Sequence, residues 1–359
     1  MHKKFGQLNT PLPPADSTAV SLNAARPESI DEFIGQDHLK SMIRTAVGSS
    51  RHRNAPMPHC LITGAAGLGK TSLARLIAVE RGVSFVATTA EAFEDSSAVK
   101  GLLSKLNDEG YNGQGQPVAQ IKPSVLFIDE AHRLPRQSQE LLYSVIEDRV
   151  LDTRVRDPLT GMMKPVREWV PSFTLVCASN RPGDLTASFR DRLRLELRLE
   201  LYDQNDSVKI VLQAFAKMNF KCGPNSAALI AARGRGVPRK LVGICEQIRD
   251  IIVSKNKASI SASVCTTAFQ TLGIDTLGLS RQDIDLMRHL AMNAGQPLGV
   301  KTLAALIHED ERALEESIEP FLLSKGLIAR TPRGRAVTPQ GIEHLCQNHG
   351  WQPNRRSLA

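Results

Sequence analysis

Residues 64–71 read GAAGLGKT, which fits the spacing G-x-x-x-x-G-K-[ST] directly after an apolar run and before an amphipathic segment. Each position has a chemical reason. Gly64, Gly67 and Gly69, with Leu68 between them, let backbone N–H groups curl around phosphate oxygens, and the helix that follows adds its positive end. Lys70 can reach the β and γ oxygens of a nucleotide, and the Thr71 hydroxyl can hold Mg²⁺. An ordinary glycine-rich turn is the rival reading. A second apolar run, 125–128, ends in Asp129-Glu130. A carboxylate at the end of such a strand lies where ligands bind in parallel sheets. Asp129 would hold Mg²⁺, directly or through water, and Glu130 would act as general base on the attacking water. Taken alone this second pattern is weak, since strands often end in charged residues.

A third apolar run ends in Asn180, whose amide can bond the γ-phosphate or the lytic water, or merely open the turn at Arg181-Pro182-Gly183. Arg192 follows within FRDRL at 189–193. Arg239 stands near the start of an amphipathic helix carrying Leu241, Ile244 and Ile248. A cation there opposes the helix dipole, and a bound anion would account for the exception.

These residues need a frame. Segments 59–63, 83–88, 124–129 and 173–178 read as buried strands, and 72–81 and 137–146 as helices, so the expectation is an α/β unit with a largely parallel sheet. Residues 107–121, with Gly110, Gly113, Gly115 and Pro117, read as a polar surface loop. From 201 to 276 the periodicity is helical with no convincing strand. After Gly278 come three helices and two short strands around Pro332–Arg335. The expected division is a flexible tail 1–25, an ATPase domain 26–200, a helical lid 201–276, a C-terminal module 277–345 and a tail 346–359.

Composition narrows the class. At 359 residues, 42% apolar and 23% charged, the chain is long enough for two or three folded domains. No run of 18 apolar residues suggests a membrane span, and the polar, proline-containing start is not a secretory signal. Six cysteines without a C-x-x-C pair argue against a zinc ribbon and for buried thiols in a reducing cytosol. The excess of 45 Lys and Arg over 37 Asp and Glu suits nucleic acid without requiring it. Aromatic residues, at 4%, are too sparse for extensive base stacking.

The order of phosphate loop, Asp-Glu strand, strand-end Asn180, Arg192 segment and helical lid with G-x-P-R resembles the AAA+ ATPases. More narrowly, RPESIDEFIGQ at 26–36, DEAHRL at 129–134, LTASFRDR at 185–192 and EPFLLSKGLIARTPRGR at 319–335 resemble the RuvB family of hexameric Holliday-junction branch-migration motors. The resemblance runs from about Arg26 to His344. It implies an AAA+ P-loop core with a parallel sheet, an all-helical lid and a C-terminal winged-helix domain. It implies ATP and Mg²⁺ as cofactors, four-way junction and duplex DNA as substrate, and assembly into a ring. It places Ala25 and Arg26 on the adenine side, Gly67, Lys70, Thr71 and Ser72 on the phosphates, and Glu147, Asp148, Arg149, Arg192, Tyr202 and Arg239 among further nucleotide contacts. Arg192 would act on a neighbouring subunit's nucleotide.

In the C-terminal module Leu314, Ile318, Phe321 and Leu322 form one apolar face, while Asp310, Glu311, Glu315, Glu316 and Glu319 make the rest acidic. Such a helix would repel phosphates, so DNA contact should fall to Arg330, Arg333 and Arg335 around the Pro332 and Gly334 turn. Arg330 and Arg335 match the family's DNA-contacting arginines; a solvated basic hairpin is the rival. Without Asn, Gln or Ser clustered there, binding should be to backbone rather than to sequence.

Two other functions remain open at this level: a clamp-loader-like ATPase that remodels a protein on DNA, and a non-hydrolysing adaptor. Glu130 and Arg192 speak against the adaptor, and the wing against the loader. One departure stands out. The family's hairpin between the Asp-Glu strand and the Asn180 strand docks by an apolar tip on the junction-binding protein RuvA. Here Thr153 and Arg154 stand where branched apolar residues are expected, which sets the chain against a standard RuvA partner; a hairpin that has merely drifted, with Val155 sufficing, is the rival.

Overall fold

The computed structural model describes residues 26–93, 99, 101, 103, 124–156, 162–170, 172–254, 259–293 and 296–352, with backbone alone at 152–156, 165 and 168. Ala25, the 1–25 tail and the 107–121 segment lie outside the described residues, as do the side chains of Thr153 and Arg154.

Strands β1 (Cys60–Thr63), β2 (Phe85–Thr89) and β3 (Ser124–Asp129) are followed by a hairpin of β4 (Val150–Arg156) and β5 (Met163–Trp169), then β6 (Phe173–Ser179) and β7 (Leu195–Arg198). The central sheet runs β2-β3-β6-β1-β7, all neighbours parallel. Every residue of β1 and β6 is buried, the near-continuous apolar pattern of strands covered on both faces. One face packs on a core that includes Leu73, Ile77, Val125 and Val176; the other packs on Phe93, Leu126, Leu142, Leu175 and Phe189. The carboxyl ends of β1, β3 and β6 therefore emerge side by side. Strand β7 went unread in the sequence because its four residues alternate and only Leu197 is buried.

The lid contains helices Gln204–Lys217, Pro224–Ala231, Pro238–Ser254 and Ala262–Leu272. It also holds a parallel pair, β8 (Lys221–Cys222) with β9 (Ser259–Ile260), two residues each and too short to leave a periodic trace. Its core is continuous with the first face of the sheet.

A separate core, Leu279 to Leu345, builds the C-terminal module from helices Arg281–Met292 and Val300–Leu306, the segment Glu311–Ser324, strands β10 (Ile328–Thr331) and β11 (Gly334–Val337), and helix Pro339–His349. The last helix thus runs past 346, into the segment expected as tail. Within 311–324 the turn Leu314–Ile318 is a π-helix, which keeps Leu314 and Ile318 buried while turning the intervening glutamates outward.

Two polar clasps fasten module to lid. Arg235, only 6% exposed, pairs with Asp283, whose carboxylate also closes a capping box with Ser280. Asp275 Oδ2 accepts from His344 Nε2 at 2.7 Å and His349 Nε2 at 3.1 Å. The Asn348 amide, 3.2 Å from His344 Nδ1, donates there, so Nε2 carries the ring proton and the trio is a hydrogen-bonded clasp.

All six cysteines are free thiols, four of them buried, and burial pushes the Cys60 thiol up to about 12. Among the described residues no helix is long and apolar enough to cross a membrane.

Candidate nucleotide site and winged-helix interface

Residues 64–71 form the loop between β1 and helix Lys70–Arg81. Gly67 and Gly69 have φ of +81° and +102°, which L side chains adopt only with strain. A Cβ on Gly67 would also come within 2.9 Å of both Arg239 Cβ and Val237 Cγ1. The lid helix therefore sits on the loop, and the Arg239 N–H donates to the Gly67 carbonyl at 3.2 Å. Gly64 lies beneath, against Leu199.

Lys70 Nζ donates to the carbonyls of Gly64 and Ala65 at 2.8 and 2.9 Å. Its pKa is lowered, chiefly by burial and with Arg239 adding to the effect, against the pull of Asp129 and Glu130. A phosphate's negative charge would offset both causes. Thr71 Oγ1 donates to Asp129 Oδ2 at 3.1 Å. These two oxygens, one hydroxyl and one carboxylate, are the hard donors Mg²⁺ takes, so the pair fits that ion. Glu130 sits at φ +51° with its N–H on Asp129 Oδ1, and Arg133 Nη1 holds its carboxylate at 3.0 Å. His132 Nδ1 is 3.3 Å from Ser179 Oγ, and burial lowers its pKa, keeping it neutral.

Together these residues line a cavity of about 280 Å³ that takes in Arg26, Gly67, Leu68, Gly69, Lys70, Thr71, Ser72, Asp129, Glu130, Asn180, Tyr202 and Arg239. The apolar wall is Phe33, Ile34, Ile210 and Val242, which residue-by-residue reading missed. The 26–36 segment is tied to the lid: Lys217 Nζ donates to Arg26 O at 2.6 Å and to Glu32 at 2.9 Å, and Gln213 to Glu32 O at 3.0 Å.

Arg192, Glu147, Asp148 and Arg149 do not line this cavity. Arg192 Nη2 donates to Tyr143 Oη at 2.7 Å, and Glu147 Oε2 lies 2.6 Å from its Nε, an ion contact without hydrogen-bond alignment. Arg192 and Glu147 border a second cavity of about 300 Å³ with Arg53, His59 and Arg194. Arg149 caps the helix Arg136–Asp148 at φ +54°.

At the wing, Arg330 Nε donates to Glu319 Oε1 at 2.7 Å. Arg335 donates to both oxygens of Glu319 and to Glu315 Oε1, at 2.9 to 3.0 Å. Glu319 is fully buried. Arg330 and Arg333 are exposed, whereas the Arg335 side chain is 14% exposed. Of these acidic residues Glu319 alone is buried; Glu315 and Glu319 neutralise the wing's own arginines, and the exposed Asp310 caps Ala313. Glu316 reaches the ATPase core, where it binds Asn180 and Arg181.

A phosphate loop at the end of a parallel strand, an Asp-Glu pair on the next strand but one, a helical lid over the loop and a winged helix beyond it define an AAA+ ATPase with a DNA-binding module. The chain belongs to the RuvB family. Family models for the RuvB P-loop domain, AAA lid domain and C-terminal winged-helix domain match residues 25–199, 202–275 and 276–346. A RuvB from Methanoregula boonei is 34% identical over 94% of this chain and 95% of its own length, and one from Synechococcus sp. strain CC9311 is 37% identical over 96% and 91%. The solved structure of the Thermotoga maritima RuvB branch migration motor superposes with a TM-score of 0.73 at 31% identity, covering 90% of this chain and 98% of that one.

Proposed function

We propose that this chain is the ATP-driven motor of Holliday-junction branch migration, working as a ring of six on the duplex arms of a four-way junction. The observation that carries this reading is a family match running through all three parts of the chain, with Lys70, Thr71, Asp129 and Glu130 lining one cavity.

In hydrolysis, Lys70 and Arg239 bind the phosphate oxygens from the loop and from the lid. Glu130 takes the proton of the attacking water, and Asn180 orients that water or the γ-phosphate. Thr71 and Asp129 would hold Mg²⁺, which would supply charge neutralisation to the phosphates. Arg192, outside its own chain's nucleotide cavity, serves the nucleotide of the next subunit; a finger supplied in trans is worth ~10³–10⁵ in rate. Arg330, Arg333 and Arg335 meet DNA phosphates. We take 26–200, 201–276 and 277–345 as the working domains, and the cytoplasm as the compartment.

ATPase rate with and without four-way junction DNA, read beside a mass measurement of the assembly, tests this. ATP turnover unaffected by any DNA, in a particle shown to be a ring, would favour a loader-like remodeller.

On the hairpin the chain does not take a standard RuvA, and it either acts alone or has its own dedicated partner. Met163 and Trp169 are 57% and 75% exposed, leaving apolar surface on β5, while Arg154 pairs in register with Pro165. An unpaired guanidinium buried in an apolar groove costs several kcal/mol. A conventional RuvA on junction DNA should therefore bind weakly, and Thr153→Ile with Arg154→Ile should tighten it. Submicromolar binding that the double change fails to improve would refute this.

A further inference from the structure

Glu316 joins the winged helix to the ATPase core. Glu316, on the π turn, accepts a hydrogen bond from Asn180 Nδ2 at 3.0 Å on Oε2. Its other oxygen, Oε1, pairs with Arg181 and takes Arg312 Nε at 2.9 Å. Asn180 Oδ1 is buried and has no hydrogen-bond partner. The amide is therefore held through its nitrogen alone, by a group 136 residues away in the DNA-binding module.

We propose that Glu316 is a positioning residue for hydrolysis, acting through Asn180: while the winged helix is seated, it draws the Asn180 amide nitrogen away from the γ-phosphate. This rests on reading Asn180 as the amide that meets the γ-phosphate or the lytic water. A carboxylate only accepts, so it selects the nitrogen end of the amide, the same end a phosphate oxygen would select. The amide nitrogen carries two hydrogens, but a carboxylate and a phosphate gathered on it repel each other, so the fully seated winged helix and the engaged sensor amide disfavour one another. Coupling of this kind is reciprocal: whatever unseats the helix frees the amide, and a γ-phosphate on the amide loosens the helix.

The same turn gives DNA a way to act. Glu315 and Glu319, flanking Glu316, hold wing arginines Arg335 and Arg330. A DNA phosphate that takes those guanidinium groups changes the charge balance on the turn that carries Glu316.

The test is steady-state ATPase of the full-length protein, with Glu316→Ala and the isosteric Glu316→Gln in wild-type and Asn180→Ala backgrounds, with and without junction DNA. Both substitutions at Glu316 should raise the DNA-free kcat about threefold or more, leave KM for ATP within about twofold, and reduce the stimulation by DNA in proportion. In the Asn180→Ala background the substitution at Glu316 should change kcat little, since the two residues form one unit. A fall or no change in DNA-free kcat with an unaltered melting temperature overturns the proposal, as does an increase that persists without Asn180. If Asn180→Ala alone turns over ATP like wild type, the sensor reading is what fails.

Discussion

Thr71 Oγ1 and Asp129 Oδ2 stand 3.1 Å apart and share one hydrogen, joining the first turn of the phosphate-loop helix to the end of β3. The two come from segments 58 residues apart, and the parallel pairing of β3, β6 and β1 brings them together. In the proposed nucleotide site this contact would set where the phosphates lie, and the neighbouring Glu130 and Lys70 would then have separable roles.

Glu130→Gln should bind ATP at wild-type affinity and hold it unhydrolysed, with kcat lower by about 10²-fold or more, as expected for loss of a general base. Lys70→Ala should instead lose nucleotide affinity. Equilibrium binding of a fluorescent ATP analogue beside single-turnover hydrolysis separates the two. Wild-type turnover in Glu130→Gln would remove Glu130 from the role of base.

Arg192 and Lys70 belong to different sides of a shared site if the finger acts between subunits. Arg192→Ala and Lys70→Ala should each be nearly inactive alone, and mixed rings should recover part of the ATPase. Arg190, which pairs with Glu196 at 3.3 Å, should tolerate the same change better. Mixed rings that form, by light scattering, yet stay inactive would place Arg192 in its own subunit's chemistry or structure.

The wing arginines should divide by their partners. Arg333→Ala should weaken duplex binding and reduce the slope of log K against log salt by about one, with the melting temperature unchanged. Arg335→Ala should cost stability as well, about 1–3 kcal/mol, because it strips donors from the buried Glu319 and leaves Arg330 to hold it. Equal melting temperatures for both variants would contradict the ion-pair account.

His59 makes folding pH-dependent. Its Nδ1 accepts the Leu175 N–H at 2.9 Å, and burial lowers its pKa from 6.5 to about 4. The folded chain therefore disfavours the charged ring. Stability is full above pH 6.5 and falls as the pH drops toward 4, where the unfolded chain binds a proton that the folded one refuses. His59→Gln, which keeps an acceptor but does not titrate, should show a shallower loss of melting temperature between pH 7 and 5. Parallel pH curves for the two proteins would rule His59 out.

What could be read from sequence was what is local. The loop at 64–71 carries its strand, turn and helix within a few residues, so spacing alone described it, and Asp129-Glu130 ends a run of unmistakable apolar residues. The helix Asp37–His52 went unread, although Leu39, Ile43 and Val47 recur at helical spacing, because no chemistry drew attention to it. The misses are long-range. No spacing links Arg192 to Tyr143, or Asn180 to Glu316. The acidic segment does face solvent at Asp310, Glu311, Glu315 and Glu316, as its charge implies, and one residue departs from that rule. Glu319 is fully buried here, since Arg330 and Arg335 reach it from the wing.

The pairing at Glu319 also sets how firmly one subunit can grip. Arg335 already has carboxylate partners, so a DNA phosphate must compete for it rather than capture it, and Arg330 is held by the same carboxylate. Each wing on its own should hold a duplex loosely and release it readily. In the proposed ring, secure attachment would come from several wings touching the same duplex at once, where effective concentration rather than single-site affinity keeps the DNA engaged. Loose individual holds within a firm collective one would let the proposed ring advance one contact at a time without dropping its track.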